Sequence, residues 1–267
     1  WNYISYLPQT VLSVKSALAG YEASNGDVIK SQNGFAMYYG NEWIGSLETM
    51  RPNEGYMFKS TATTTKTLTY PSKVSTVNRA PQSNEHPYAH NMSIFGYSED
   101  VCATDKLYAV VNGEIRGEAV PVVYDDRTLL CISVAGDDTH DEVHFLRVRE
   151  DGTSLSSTTV AYAPDNVSGE PAAPLHIVFD APAATTGMTL YPIPASTQLT
   201  LSAIVQPSVS TRIDIYDVMG KMVYTSAAEK TDGFVLRSID VSSLVEGTYF
   251  LRFVHGDEVE VQKFIKF

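Results

Sequence analysis

Apolar and polar positions alternate over short runs along most of the chain, and Gly, Asn, Asp and Pro break these runs every few residues. A period of two is the signature of half-buried strands. Helical spacing is confined to Ser13–Ala19, with Ser13 placed as an N-cap and Gly20 as the stop. Near the start, the pattern predicts strands at Trp1–Tyr6, Val28–Lys30, Phe35–Tyr39, Trp43–Leu47, Gly55–Lys59 and Thr67–Tyr70. Further on it predicts strands at Leu107–Val111, Glu114–Ala119, Val120–Tyr124, Leu129–Val134, Glu142–Arg149 and Leu175–Phe179. The last stretch adds Thr200–Val205, Thr211–Val218, Met222–Thr225, Gly233–Leu236, Thr248–Val254 and Val259–Phe267. Gly40-Asn41, Asn112-Gly113, Met219-Gly220-Lys221 and His255-Gly256-Asp257 read as hairpin turns, because Asn and Gly tolerate the positive φ those turns need.

Two stretches lack this pattern. Residues 71–87 hold three prolines and little to bury, and residues 180–189 are mostly small. Both read as linkers. They divide the chain into 1–73, a small β module with one helix; 85–181, a β-sandwich; and 188–267, whose short, closely spaced strands suggest an immunoglobulin-like sandwich. The expected fold class is mainly β, in three small domains.

Composition sharpens the picture. The 267 residues carry a net charge of −12. The block 74–187 accounts for most of it, with 6 basic and 17 acidic residues. This balance argues against nucleic acid as a partner. No apolar run approaches the ~18 residues of a membrane-spanning helix. The chain opens on Trp1 with no charged and apolar leader, so it reads as a mature or truncated part of something longer. Cys102 and Cys131 allow one bridge or none.

The last block carries four motifs in order. They are Leu190-Tyr191-Pro192-Ile193-Pro194-Ala195; Ile215-Tyr216-Asp217-Val218-Met219-Gly220-Lys221-Met222-Val223; Ile239-Asp240-Val241-Ser242-Ser243-Leu244 followed by Gly247-Thr248-Tyr249-Phe250; and Lys263-Phe264-Ile265-Lys266. Together they resemble the type IX secretion system C-terminal sorting domain of Bacteroidetes surface and secreted proteins. The chain departs from that family at Ile193, where the family usually has Asn, and in Phe267 after the final lysine. The resemblance implies an address read at the outer membrane by the secretion translocon and removed by a sortase-like protease, with cargo left attached to the cell surface. It assigns the sorting signal to Tyr191, Pro192, Pro194, Gly220, Lys221, Gly247, Tyr249, Lys263, Phe264, Ile265 and Lys266. Gly220 suits a positive φ, and Gly247 suits a sharp turn before a strand. The basic–apolar–apolar–basic ending of 263–267 reads as a terminal segment needed for export and dispensable for folding.

The first block resembles a small module of the same surface proteins through Trp1–Tyr6, Asn25–Gln32, Trp43–Leu47 and Pro52–Tyr56. That likeness implies no chemistry. The middle block is similar to sandwiches that precede the sorting domain only through Gly113-Glu114-Ile115-Arg116-Gly117.

Other chemistry is thin. No Gly-x-Ser-x-Gly elbow or phosphate-binding Gly loop is present. His140 and His144, four residues apart on a strand, would lie ~13 Å apart, too far to share a metal. Paired carboxylates at Asp125-Asp126 and Asp137-Asp138 fall at expected loops, where oxygen ligands suit Ca²⁺; solvated loop charge is the plainer reading. Trp1, Trp43, Tyr38, Tyr39 and Tyr56 could make a sugar-stacking face or simply a core. The sequence thus suggests a non-catalytic, cofactor-free C-terminal portion of a secreted, surface-anchored protein, its first two blocks adhesive or spacing. A glycan or a protein surface is the candidate ligand. The alternatives are a carbohydrate-binding module, or the accessory tail of an enzyme whose catalytic domain lies upstream.

Overall fold

The computed structural model describes residues 1–71, 88–102, 104–149, 152–179, 187–206, 208–231 and 233–267. The expected linker at 71–87 lies outside the described residues except for Pro71; of that expected at 180–189, residues 180–186 lie outside them, while Gly187, Met188 and Thr189 open a strand rather than belong to a linker, held by pairing with Ser202–Ile204. Strands make up 58 % of the structure and helix 2 %, so the fold is mainly β. The chain forms two compact units. The first comprises 1–99, 117–140 and 161–177; the second comprises 100–116, 141–160 and 178–267.

The first unit contains an antiparallel sheet ordered Asn2–Ser5, Gly55–Lys59, Val28–Lys30, Phe35–Tyr39, Glu42–Gly45. Gly40 and Asn41 turn its last hairpin with φ of 58° and 70°. The helix spans Val14–Ala17, and the Ser13 hydroxyl accepts from the Ser16 amide at 3.1 Å, as its N-cap. Both faces of this sheet are covered. Ile29, Ala36, Tyr56 and Phe58 pack with the helix residues Val14 and Ala17. Val28, Phe35, Met37 and Ile44 pack with Phe95, Leu129 and Cys131. Strand Val28–Lys30 is consequently buried at every residue.

The rest of this unit is built on strand His90–Tyr97. It pairs antiparallel with Arg127–Gly136, Cys131 facing Phe95, and parallel with Val167–Ser168 and Leu175–His176. Arg127–Gly136 also pairs with the later half of Glu114–Tyr124, Val120 facing Cys131. The sequence pattern missed His90–Tyr97. Six consecutive residues of that strand are buried, so no polar face marks it. Thr67–Tyr70 is not a strand; only Thr69 forms an isolated bridge, to Gly20. Glu114–Tyr124 is one continuous strand where two were expected, and Leu175–Phe179 contracts to Leu175–His176.

In the second unit, Lys106–Val111 pairs antiparallel with Glu142–Arg149, Ala109 facing Phe145. Asn112 and Gly113 form the expected turn with φ of 51° and 80°. Strand Gly152–Ala161, rich in Ser and Thr, offered too few apolar positions to be read from sequence. The remainder is a two-sheet sandwich. One sheet is ordered Gly187–Tyr191, Gln198–Ile204, Phe234–Asp240. The other is ordered Met222–Thr225, Ser210–Asp217, Gly247–His255, Glu258–Lys266, with Glu229–Lys230 also beside Ser210–Asp217. Leu190, Leu199, Leu201, Val235 and Ile239 of the first sheet share a core with Ile213, Ile215, Leu251, Phe253 and Phe264 of the second.

Both cysteines are free, Cys102 exposed and Cys131 buried. Burial pushes the Cys131 thiol up to about 12, which leaves it protonated and inert at neutral pH.

Candidate functional site

Strand pairing brings part of each of the four motifs to one end of the five-stranded sheet. Strand Ser210–Asp217 ends where Gly247–His255 begins, with Asp217 opposite Tyr249. Tyr249 faces Phe264, and Gly247 faces Lys266. The turn after Asp217, the start of Gly247–His255 and the end of Glu258–Lys266 therefore share one rim. Three neighbouring strands place them within roughly 10 Å of one another across the sheet. The proline-rich motif joins them. The Ala195 amide donates to the Ile265 carbonyl at 2.8 Å, and the Phe267 amide donates to the Ala195 carbonyl at 3.0 Å. Ala195 thus pairs in parallel with Lys266. Both Tyr191–Pro192 and Ile193–Pro194 are cis peptides. Tyr191 is half-buried, and desolvation pushes its phenol up to about 12.

The turn is held by Asp217, whose Oδ1 accepts from the amides of Met219 (2.8 Å) and Lys221 (3.0 Å). Gly220 sits at φ 77° in open surroundings, so conformation alone requires glycine there. Gly247 opens strand Gly247–His255 just after the turn closed by the Leu244 amide on the Val241 carbonyl. Its φ is not in the positive region, and a Cβ would lie 3.9 Å from Tyr249. Nothing around it demands a glycine.

The ending is not a free tail. Alternation along the strand turns Phe264 and Lys266 inward and Lys263, Ile265 and Phe267 outward. Phe264 is fully buried and stacks on Tyr249 with centroids 5.5 Å apart. The Tyr249 hydroxyl donates to the Val245 carbonyl at 2.8 Å. Lys266 is buried, its Nζ donating to the Phe267 carbonyl oxygen at 2.6 Å. The expected separation of export from folding at 263–267 therefore fails, because the segment includes a core phenylalanine.

Sequence reasoning singled out Ile265 but passed over the other exposed apolar residues of this rim. Met219 is 87 % exposed, Val245 77 %, Val218 65 %, Phe267 60 % and Ile265 42 %. The signal was present: a turn reading Val-Met-Gly-Lys spends two apolar side chains where turns ordinarily carry polar ones.

The acidic pairs serve other ends. Asp125 and Asp126 are the two turn residues between Glu114–Tyr124 and Arg127–Gly136, with φ of 49° and 58°. Asp137 accepts from the amides of Ala89 (2.9 Å) and His90 (3.2 Å), and Asp138 from the amide of His140 (2.9 Å). The two pairs flank opposite ends of strand Arg127–Gly136, ten residues or ~33 Å apart. They cannot combine in one site, and no group of three or more His, Cys, Asp or Glu with metal-binding geometry occurs among the described residues. Melting curves of the protein in millimolar Ca²⁺ and in chelator are expected to overlay; a rise of several degrees with Ca²⁺ would contradict this.

The aromatic candidates are likewise engaged. Tyr38 and Trp43 face each other across a hairpin, Tyr39 packs edge-on to Tyr124, and Tyr56 is buried with its hydroxyl donating to Glu54 at 2.7 Å. Trp1 lies over the Lys30 ammonium at 4.9 Å.

Residues 189–267 match the family described as the secretion system C-terminal sorting domain, a match that spans the two-sheet sandwich from the third residue of its first strand and includes all four motifs. Residues 189–267 are accordingly a type IX secretion sorting domain, the signal of a secreted cargo protein, which supports secretion and cell-surface attachment of the chain. No curated protein matches it. No helix among the described residues is long and apolar enough to cross a membrane.

Proposed function

We propose that the chain is the non-catalytic C-terminal portion of a cargo protein held at the outer membrane, and that the rim of the five-stranded sheet is the surface the translocon reads. In this reading the sandwich, of immunoglobulin-like build, is the address, and residues 1–73 and 85–181 are adhesive or spacing modules. The observation that carries it is the convergence of Ala195, the Met219–Lys221 turn, Gly247 and the Lys263–Phe267 strand end on one rim. Four separate stretches of sequence meet there, and the side chains they expose are apolar residues interspersed with Lys221 and Lys263. Exposed apolar side chains gathered at one place favour association with another surface. A sortase-like protease would then act in 181–190, ahead of strand Gly187–Tyr191, where the small residues from Ala181 to Gly187 present little to bury.

The test separates recognition from folding by using outward side chains only. The triple substitution Met219→Ser, Ile265→Thr and Phe267→Ser should leave the melting temperature close to that of the parent. In the native host it should strand the cargo in the periplasm. Surface display at the parental level, with cleavage intact, would refute the rim as the signal.

A further inference from the structure

Lysine 30 is the third residue of a strand buried on both faces, and it is 2 % exposed. A buried lysine is costly unless something specific holds it. Its Nζ lies 2.5 Å from Asp165 Oδ1, 3.0 Å from Asn91 Oδ1 and 3.1 Å from the Asn91 carbonyl. The Trp1 ring covers the nitrogen from another side. An ion pair with Asp165 would need only the carboxylate. The carboxamide beside it is placed with equal care. Asn91 Nδ2 donates to the carbonyls of Ser31 (2.9 Å) and Gln32 (2.7 Å), which fixes the amide's orientation and turns its oxygen to the lysine. The Asp165 amide donates to the Asn91 carbonyl at 3.0 Å, and Asp165 Oδ2 is 3.3 Å from His90 Nδ1. A nucleophile, an acyl group with a potential leaving group, and a proton carrier thus meet within hydrogen-bond reach.

We propose that Lys30 and Asn91 form an intramolecular isopeptide bond, with Asp165 as the proton-transferring catalytic residue. Burial of Lys30 disfavours its ammonium, so its proton passes to the Asp165 carboxylate 2.5 Å away. Desolvation indeed draws the Lys30 ammonium below its ordinary value, against the opposing pull of Asp165. The free amine attacks Asn91 Cγ, the carbon bonded to the oxygen it already touches. Protonated Asp165 donates to the developing oxyanion. The surplus proton on the lysine nitrogen reaches the original Nδ2 through Asp165; the tetrahedral centre then collapses, the bond from Cγ to Nδ2 breaks, and the hydroxyl proton returns to the Asp165 carboxylate as the carbonyl re-forms. An amine and a primary amide become a secondary amide and ammonia, with no oxidant or cofactor. Ammonia leaves by the adjoining cleft of about 330 Å³, which Lys30, His90, Asn91 and Asp165 help to line.

The bond would tie strand Val28–Lys30 to strand His90–Tyr97 and close residues 31–90 into a covalent loop. In a chain whose two cysteines are free, it would supply the cross-link a surface protein otherwise takes from disulfides.

Intact-mass spectrometry of the purified full chain tests it. The expected mass is about 17 Da below that of the sequence, one ammonia lost per bond. Tryptic digestion should fail after Lys30 and should yield a branched peptide joining Lys30 to Asn91. The variant Asn91→Asp would lose water instead and reach the same final mass as the parent. Lys30→Arg and Asp165→Ala should retain the full mass of their sequences, with circular dichroism confirming that each is folded. A parent mass equal to the sequence, with Lys30 and Asn91 recovered on separate peptides, would overturn the proposal. So would an ammonia loss without the branched peptide, which would indicate a succinimide.

Discussion

Phe264→Ala is expected to destabilise the two-sheet sandwich by about 3–5 kcal/mol, the usual cost of truncating a buried phenylalanine. Phe264 is fully buried among Leu190, Ile239, Leu251 and Phe253, and its ring stacks on Tyr249. No neighbour can collapse freely into the space, because strand Glu258–Lys266 is pinned by its pairing with Gly247–His255 and by the Ala195 bonds. For a sandwich of this size, each kcal/mol moves the melting temperature by roughly 4–8 °C, so the sandwich transition should fall by at least about 12 °C. Its sequence neighbour behaves oppositely. Ile265→Thr keeps a β-branched side chain on the exposed face and should change stability by no more than about 0.5 kcal/mol. Calorimetry of the full chain checks both. An unshifted transition in Phe264→Ala would show that the last strand is not part of the core. The contrast also governs how the export signal is dissected. Deleting 263–267 removes the ring along with the outward residues, so lost export after such a deletion would report misfolding as readily as lost recognition.

A second large effect is expected at Asp27. Its carboxylate is fully buried and carries four hydrogen bonds. Oδ1 accepts from the amide (2.6 Å) and hydroxyl (2.8 Å) of Thr61. Oδ2 accepts from the Ser24 amide (2.8 Å) and the Tyr21 hydroxyl (3.2 Å). These bonds tie the turn at Asn25-Gly26 to the chain leaving strand Gly55–Lys59. Asp27→Ala leaves two backbone amides without their acceptors. Bonds to an ionised group contribute ~1.5–3 kcal/mol each, and each orphaned donor keeps its desolvation cost, so a loss of about 3 kcal/mol or more is expected. Asp27→Asn keeps the shape but points an NH₂ group at one pair of donors, and should fall between parent and alanine. Chemical denaturation followed by tryptophan fluorescence reads this directly, since Trp43 packs against the same core. An Asp27→Ala midpoint equal to the parent's would show that water replaces the carboxylate at little cost.

Local rules were legible wherever one residue type decides one conformation. Asn112-Gly113, Gly40-Asn41, Gly220 and Gly256 all take the positive φ read from their identity, because few other residues adopt it cheaply. Ser13 caps its helix for the same local reason. Strand Gly55–Lys59 was found with its ends correct, since buried Tyr56 and Phe58 alternate with less buried neighbours. His90–Tyr97 escaped because burial on both faces erases alternation. The four sorting motifs were likewise visible one by one in the order of the chain. That they occupy one rim follows only from strand pairing, which sets Asp217 beside Tyr249 and Tyr249 beside Phe264. The same holds for Lys30, Asn91 and Asp165. Read in sequence they are a strand lysine, a residue after a linker and a loop acid, separated by 61 and 74 positions. No periodicity links such distant residues. Sequence fixes conformation where the determining forces act between near neighbours, whereas only the folded chain decides which distant side chains share a dehydrated space.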